Sequence, residues 1–570
     1  MLKLKQLYTS PELINPINFS TGLNLIFGEK DTSSQKTNGV GKSLCIEFIN
    51  FALLKDKKDS RVSLIPPEVF PHETLICLDF TINSQEYTIK RSLKDYKQPI
   101  IIENRRTLTF EKLEDATKYL TGKLFSNSNV PHPNFRVMMG PLIRDERSEF
   151  KSIIACYNTE NRVADDYTPH LYLFDIDIDI YKNIKKQLDE IKEIRAHRKR
   201  IKDNVKLLRQ VEIKDARADL NELDDEVHSI EAEINKLENA QTYDIIKDEM
   251  LSLEHKIEEK RRTQAILKQK MLKLEPVSHK IEIEINEISK FYEQLKNGLG
   301  TLIEKDLEEV IQFKDNIDEF QNKLINDRRN TLSNELADVN NTLSKLDKNY
   351  TDNLKILDQK GNLKDLKQTY SAYVKKSDQS AQLRVFVDKY DELDQDRQKL
   401  NTEKEVNLLR LQSDIHDKKN IINDFQNTIL NIHEYIQGNK QASFQIRQID
   451  TVKVIDIDMR IADDGSHSVD REKVFIYDIA LLLNKFTQER HPGFLIHDNI
   501  FEVDQDTFIK SIHYLKDKAD FEETQYILTL NSDRLDMKDS DLFNSLEPYI
   551  KASFTKKERF LKGKKYAEIK

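Results

Sequence analysis

Apolar residues recur every three or four positions through most of the middle of the chain. Leu220, Leu223, Val227, Ile230, Ile234 and Leu237 step by 3, 4, 3, 4 and 3, the seam of a coiled coil. After a phase slip the seam resumes at Ile246, Met250, Leu253 and Ile257. It returns at Leu332, Leu336, Val339, Leu343, Leu346 and Tyr350, and again at Ile415, Ile422, Phe425, Ile429, Ile432 and Ile436. The spacing predicts a helix over about residues 180–275, ~140 Å long at ~1.5 Å per residue. A turn near Asn297-Gly298-Leu299-Gly300 would let the chain return over about 301–436. The return is the longer limb, so a break is expected at Gly361-Asn362 or at Ser377-Asp378-Gln379-Ser380. Two such limbs most simply pair as an antiparallel coiled-coil arm. The same seam is open to an intermolecular coiled coil without reversal, or to the surface helices of a bundle.

The flanks have a different rhythm. Residues 74–83 and 86–93 alternate apolar and polar on either side of Ser84-Gln85, as a hairpin would. Residues 493–497 and 524–530 are short apolar runs suited to buried strands. Twelve of the 13 prolines lie at or before Pro169 or at or after Pro492, with only Pro276 between. An interior proline costs a helix about 3 kcal/mol, so the division matches mixed α/β flanks around a helical middle.

Composition sharpens this picture. Of 570 residues, 33% are charged, 13 are Gly and none is Trp, a balance suited to long exposed helices. The net charge of −9 fits neither a general nucleic-acid coat nor a disordered acidic tail. Cys45, Cys77 and Cys156 are odd in number, scattered and without a CxxC pair, which argues against a disulfide framework and for a reducing compartment. There is no apolar run of ~18 residues and no signal-like start, so no membrane span is expected and the cytoplasm is the expected location.

The strongest chemical signal is Asn38-Gly39-Val40-Gly41-Lys42-Ser43, between a strand-like run at 23–27 and an apolar helix at 44–53. Backbone N–H groups and the helix dipole there face phosphates, Lys42 reaches the terminal ones, and the Ser43 hydroxyl can ligate magnesium. The usual spacing puts a glycine where Lys36 stands. The first glycine is therefore expected to be Gly28, separated by a polar insertion at 29–37. A magnesium site also needs a carboxylate at the end of a buried strand. His491-Pro492-Gly493-Phe494-Leu495-Ile496-His497-Asp498 offers Asp498, which a turn would also explain.

A phosphate loop near the start, two long arms and a magnesium aspartate near the end resemble the SMC/RecN class of ABC-type ATPases. The smaller SMC-like ATPases of bacterial three-component, Lamassu-like defence systems are similar in size and outline. The resemblance implies an α/β ABC-type ATPase head assembled from N- and C-terminal lobes, residues 1–179 and 438–570, with a long antiparallel α-helical coiled-coil arm at 180–437. It implies ATP and Mg2+ bound between dimerised heads, with DNA and companion subunits, including a nuclease, as partners. Gly28, Asn38, Gly39, Gly41, Lys42 and Ser43 would hold nucleotide, Ser43 and Asp498 the metal, and Ser466 or Ser468 the partner head's γ-phosphate.

Departures from that pattern bear on rate. The residue after Asp498, a water-activating Glu in the family, is Asn499, and the switch His corresponds to Asn531. General-base work would then fall to Glu502 or Asp504, the latter resembling the family's D-loop Asp, and hydrolysis is expected to be slow. Asp464-Gly465-Ser466-His467-Ser468 precedes a helix expected at 471–484, where either serine could equally be an N-cap. The family's lining glutamine is not evident; residues 135–150, with Arg144, Asp145 and Arg147, occupy its region. No cysteine follows Cys156, so a zinc hook at the apex is excluded. Arg195, His197, Arg198, Lys199, Arg200 and Lys202, with Lys556, Lys557, Arg559, Lys562, Lys564 and Lys565, are candidate DNA contacts or simply solvated basic surface. Two other classes remain open: a coiled-coil scaffold with a hydrolytically weak nucleotide-binding head, and a P-loop kinase with a coiled-coil insertion.

Overall fold

The computed structural model describes residues 1–29, 39–126, 128–156, 165–238, 244–272, 274, 307–357, 363–462, 467–532 and 540–561. They divide into two compact units, Met1–Lys186 with Lys404–Lys570, and Gln187–Glu403.

The first unit opens with β1 (Leu2–Ser10), β2 (Ile17–Asn18) and β3 (Gly22–Gly28), followed by α1 (Lys42–Ala52). Next come β4 (Leu75–Ile82), β5 (Gln85–Arg91), β6 (Ile100–Glu103) and β7 (Arg106–Thr109). Then follow α2 (Leu113–Leu124), α3 (Phe135–Leu142), β8 (Ile143–Arg144) and α4 (Thr168–Leu173). The helical middle contains α5 (Ile178–Arg209), α6 (Ile213–Glu238), α7 (Asp244–Leu272), α8 (Leu307–Leu357) and α9 (Leu363–Asp417). The chain rejoins the first unit within α9, at Lys404, and continues through α10 (Lys419–Gln437), β9 (Ala442–Gln448), β10 (Ile455–Ile461), α11 (His467–Leu483), β11 (Phe494–Asp498), α12 (Gln505–Asp517), β12 (Gln525–Asn531) and β13 (Ile550–Phe554).

Two sheets build most of this unit. An antiparallel sheet runs β2-β1-β4-β5-β6-β7. Its β4–β5 turn is the expected hairpin: Ile82 pairs with Gln85, and Asn83 and Ser84 take φ of 49° and 67° in a two-residue turn. A second, parallel sheet runs β13-β3-β12-β11-β8. Its central strands are apolar on both faces, with Phe494 to Asp498 and Gln525 to Leu530 all buried, because helices cover parallel sheets on both sides. β3 comes from the start of the chain and pairs with β12 and β13 from its end, so neither terminal portion completes this core alone.

In the second unit the seam residues do pack across helices, but not as one long hairpin. α6 and α9 are antiparallel: Glu226 meets Lys376 at 2.6 Å and the Tyr373 hydroxyl donates to Glu231 at 3.1 Å. α7 and α8 are also antiparallel, with Tyr350 donating to Glu254 at 2.7 Å and Gln264 to Asn340 at 2.5 Å. This second pair lies alongside the first. Tyr350 stacks on Tyr370 with centroids 4.1 Å apart, and Arg261 reaches Asp347 and Asp378 at 3.5 and 3.4 Å. The four helices therefore form an up-down bundle, which corrects the expectation of a single ~140 Å limb and its return. The first limb is also interrupted after Arg209, where Gln210 takes φ 58°.

The break proposed at Ser377 to Ser380 is absent. α9 continues through it because Ser380 is buried and donates to Asp224 at 2.6 Å, so the polar run faces a helix rather than solvent. The other break, Gly361-Asn362, and the turn at 297–300 lie outside the described residues. No helix among the described residues is long and apolar enough to cross a membrane.

Candidate functional site

β3 and β11 run parallel with β12 between them, so their carboxyl ends open on the same edge of the sheet. Ligands of open α/β sheets bind in the crevice outside those ends. Gly28, the last residue of β3, is opposite Asn531 of β12 and Phe554 of β13. Asn38 falls outside the described residues; Gly39 and Gly41 take φ of 73° and 110°, left-handed conformations that favour glycine. Gly41 is also the N-cap of α1 and offers no capping side chain to the first-turn N–H groups, the arrangement found at anion-binding helix starts.

Around this turn is a cleft of about 490 Å³, lined by residues 39–44, Arg61, Glu146, Asn499, Glu502 and Arg559 among others. Lys42 is largely buried and donates to Asn531 Oδ1 at 2.5 Å. Asp498 ends β11 with 0% exposure. Its Oδ1 accepts from the Thr529 hydroxyl at 2.8 Å, while Oδ2 is buried with no hydrogen-bond partner. Burial pushes the Asp498 carboxyl above the usual carboxylate range, opposed by hydrogen bonding from Ser43 and Thr529 and by the charge of Arg61. A buried carboxylate oxygen left without a partner is costly, and a hydrated Mg2+ beside the Ser43 hydroxyl would answer it. Ser43 and Asp498 therefore fit such an ion, although no cluster of three or more His, Cys, Asp or Glu suited to a metal occurs among the described residues.

Asn499 takes φ 62°, a conformation that Asn tolerates better than most residues. Its backbone N–H donates to Thr529 Oγ1 at 2.9 Å and its side-chain amide to Glu502 Oε1 at 2.9 Å. Arg471 holds the other Glu502 oxygen at 2.7 Å and the Asn499 carbonyl at 3.0 Å. Glu502 thus lines the cleft with both oxygens engaged. Asp504 does something else: it caps α12, accepting from the Thr507 N–H at 2.9 Å and the Thr507 hydroxyl at 2.7 Å. Burial raises the Asp504 carboxyl, but these hydrogen bonds outweigh it and hold the group below its ordinary value. A capping carboxylate outside the cleft lining is placed for structure, against its expected part as a base.

Ser466 lies outside the described residues, and Ser468 is in the first turn of α11, which starts at His467 rather than 471. Of the residues in the segment 135–150, Arg144 is fully buried and donates to Asp478 at 3.0 Å; His497, beside Asp498, meets the same carboxylate at 2.9 Å. Asp145 caps the turn at Glu146–Ser148. The residue this segment gives to the cleft is Glu146, which faces Arg61 at 4.0 Å and disfavours ionisation of Asp498. Sequence reasoning missed Glu146 and Arg61 and placed Arg559 among DNA contacts. No periodicity or spacing marks them, since chain folding alone brings them to Lys42. Arg198, also read as a DNA contact, is partly withdrawn, bonding Tyr390 at 2.7 Å and Asp394 at 2.8 Å. Lys562, Lys564 and Lys565 lie outside the described residues.

Known proteins resemble the chain in several ways. Residues 427–563 match a family described as uncharacterised protein conserved in bacteria (DUF2326). The uncharacterized protein YydD of Bacillus subtilis (strain 168) is 24% identical over 571 residues, covering 93% of each chain. Among solved structures, the Smc head domain with a coiled coil and joint from Pyrococcus yayanosii is 15% identical with a TM-score of 0.36, over 94% of this chain and 93% of that one. The Smc head domain of Pyrococcus furiosus, with an extended coiled coil and bound to the C-terminal domain of ScpA, is 12% identical with a TM-score of 0.34, over 95% and 92%. Residues 12–296, half of the chain and the portion that carries Gly28, Gly39, Gly41, Lys42 and Ser43, match the AAA domain family, and the chain belongs to that family.

Proposed function

We propose that this chain is an SMC-like ATPase that binds Mg-ATP at the carboxyl ends of β3 and β11. The observation that carries the reading is that Asp498, buried with an Oδ2 that lacks a partner, ends β11 within hydrogen-bonding reach of Ser43, which lines the cleft with Lys42. Gly39 and Gly41 let the backbone approach the phosphates, Lys42 neutralises them, and Ser43 with Asp498 holds the ion. Bound there, Mg2+ would neutralise phosphate charge. Two copies are proposed to pair through their heads around the nucleotide, with Ser466 or Ser468 reaching the partner's phosphate. Exposed Arg195, His197, Lys199, Arg200 and Lys202 on α5 support DNA as a partner, through phosphate contacts. The resemblance in size and outline to SMC-like defence ATPases supports a role in bacterial genome maintenance or anti-phage defence, beside companion subunits that include a nuclease.

Asn499 favours one alternative. An amide cannot accept a proton as a carboxylate does, so a scaffold that binds ATP and hydrolyses it weakly is the second reading. Two measurements decide. Lys42→Ala should weaken Mg-ATP binding at least tenfold and abolish ATP-dependent dimerisation read by light scattering; unchanged affinity would overturn the assignment. Single-turnover hydrolysis with and without duplex DNA separates an ATPase, which DNA accelerates, from a scaffold with no measurable turnover in either condition.

A further inference from the structure

The C-terminal end of the first unit bonds the chain on either side of the polar insertion, at Glu29 and at Val40. On one side the Glu29 N–H donates to the Phe554 carbonyl at 2.8 Å; on the other, the Phe560 N–H donates to the Val40 carbonyl at 3.1 Å. Phe560 is 2% exposed, packed edge-on against Phe48 of α1 and Phe554 with centroids 5.1 and 5.5 Å away. The fit is close: a Cβ on Gly41 would stand 2.5 Å from the Phe560 Cβ, and one on Gly39 would stand 3.2 Å from Lys556 Nζ. Between Phe554 and Phe560 the chain makes a tight turn, with the Thr555 N–H donating to the Glu558 carbonyl at 3.0 Å and the Glu558 N–H to Thr555 Oγ1 at 2.9 Å. That turn delivers Arg559 to the cleft lined by Lys42 and Ser43, where its Nε donates to the Lys556 carbonyl at 3.2 Å.

We propose that residues 554–561 form a wall of the nucleotide site, and that Arg559 binds the polyphosphate in cis, opposite Lys42. This rests on the cleft being the ATP site. Three features point to phosphate as what Arg559 meets. The bond to Val40 uses its carbonyl and so takes up no backbone N–H of the turn at Gly39–Gly41. The guanidinium shares the lining with Lys42 and Ser43 in the first turn of α1. Its planar fork also suits phosphate oxygens, which a single ammonium meets only as a point charge. A plug that closes the same cleft against nucleotide is the opposite outcome and is read by the same experiment.

The test is calorimetric titration of the full chain with Mg-ATP and Mg-ADP, for wild type, Lys42→Ala, Arg559→Gln and Arg559→Lys. Arg559→Gln is expected to weaken Mg-ATP binding about tenfold, and Arg559→Lys to recover part of that loss. Thermal melting of each variant checks that the wall stays folded. Should Arg559→Gln melt early, Arg559→Lys, which keeps charge and stem but loses the fork, still decides by its weaker ATP binding. Wild-type affinity in both variants, or tighter binding in Arg559→Gln, overturns the proposal while a binding wild type and a non-binding Lys42→Ala leave the ATP site standing. A wild type that binds neither nucleotide overturns the site and the wall together.

Discussion

At the residue scale, the cleft holds two carboxylates able in principle to take a proton from water, and their surroundings differ. Glu502 has one oxygen on the Asn499 amide and the other on Arg471, so each oxygen already accepts a hydrogen bond that fixes the side chain in place. Glu146 faces Arg61 at 4.0 Å and acts electrostatically on Asp498, so its carboxylate is near that of Asp498. In single-turnover hydrolysis of Mg-ATP, Glu146→Gln is expected to slow the reaction by about 100-fold and Glu502→Gln by less than about tenfold. The reverse order would return the base to Glu502. Asp498 itself was legible in the sequence, as an acid ending an apolar run. Glu146 was not, because a carboxylate in a short turn beside Asp145 and Glu149 has no period that singles it out.

At the scale of elements, strands and helices were legible wherever burial on one or both faces leaves a period in the residues. The hairpin of β4 and β5, the strands β11 and β12 and the helix α1 sit where their patterns put them. The seam of the long helices was equally plain, yet a heptad records that a face is covered and not which helix covers it. Arg261 illustrates the difference. It is 3% exposed, its stem is enclosed by the bundle, and it lies between Asp347 of α8 and Asp378 of α9. Burial raises both carboxyls, and Arg261 pulls them back down. Removing it leaves two neighbouring half-buried acids without their cation. Arg261→Ala should therefore destabilise the bundle by about 2–3 kcal/mol in urea melts followed by helical circular dichroism, and Arg261→Met, which keeps the packed stem, by clearly less. A loss below about 0.5 kcal/mol for the alanine variant would mean that α7 does not lie against α9.

For the whole molecule, the telling feature is that the parallel sheet takes β3 from the first residues and β12, β11 and β13 from the last. The chain leaves this unit at Lys186 and re-enters it at Lys404, and the next residues inward, Gln187 and Glu403, are joined by a 3.4 Å hydrogen bond. The two crossing points are thus adjacent. Replacing residues 187–403 with a short Gly/Ser linker should yield a folded head with a cooperative thermal transition, whereas residues 1–186 alone should aggregate, since β3 would present an unpaired apolar edge. Cooperative melting of the isolated N-terminal piece would break the claim that the two ends share one core.

Local chemistry and local periods are written in the residues alone: a glycine-bracketed lysine at a helix start, an aspartate closing a buried strand, and heptads between. Those signals are short in range, because backbone conformation and the alternation of covered and wet faces are set by residues a few positions apart. Folding adds that the helical middle doubles back into a bundle, that Asp504 is a cap, and that Arg61, Glu146 and Arg559 line one cleft with Lys42. Such juxtapositions depend on which covered faces meet, and many partners satisfy a given apolar stripe equally well until the whole core is packed.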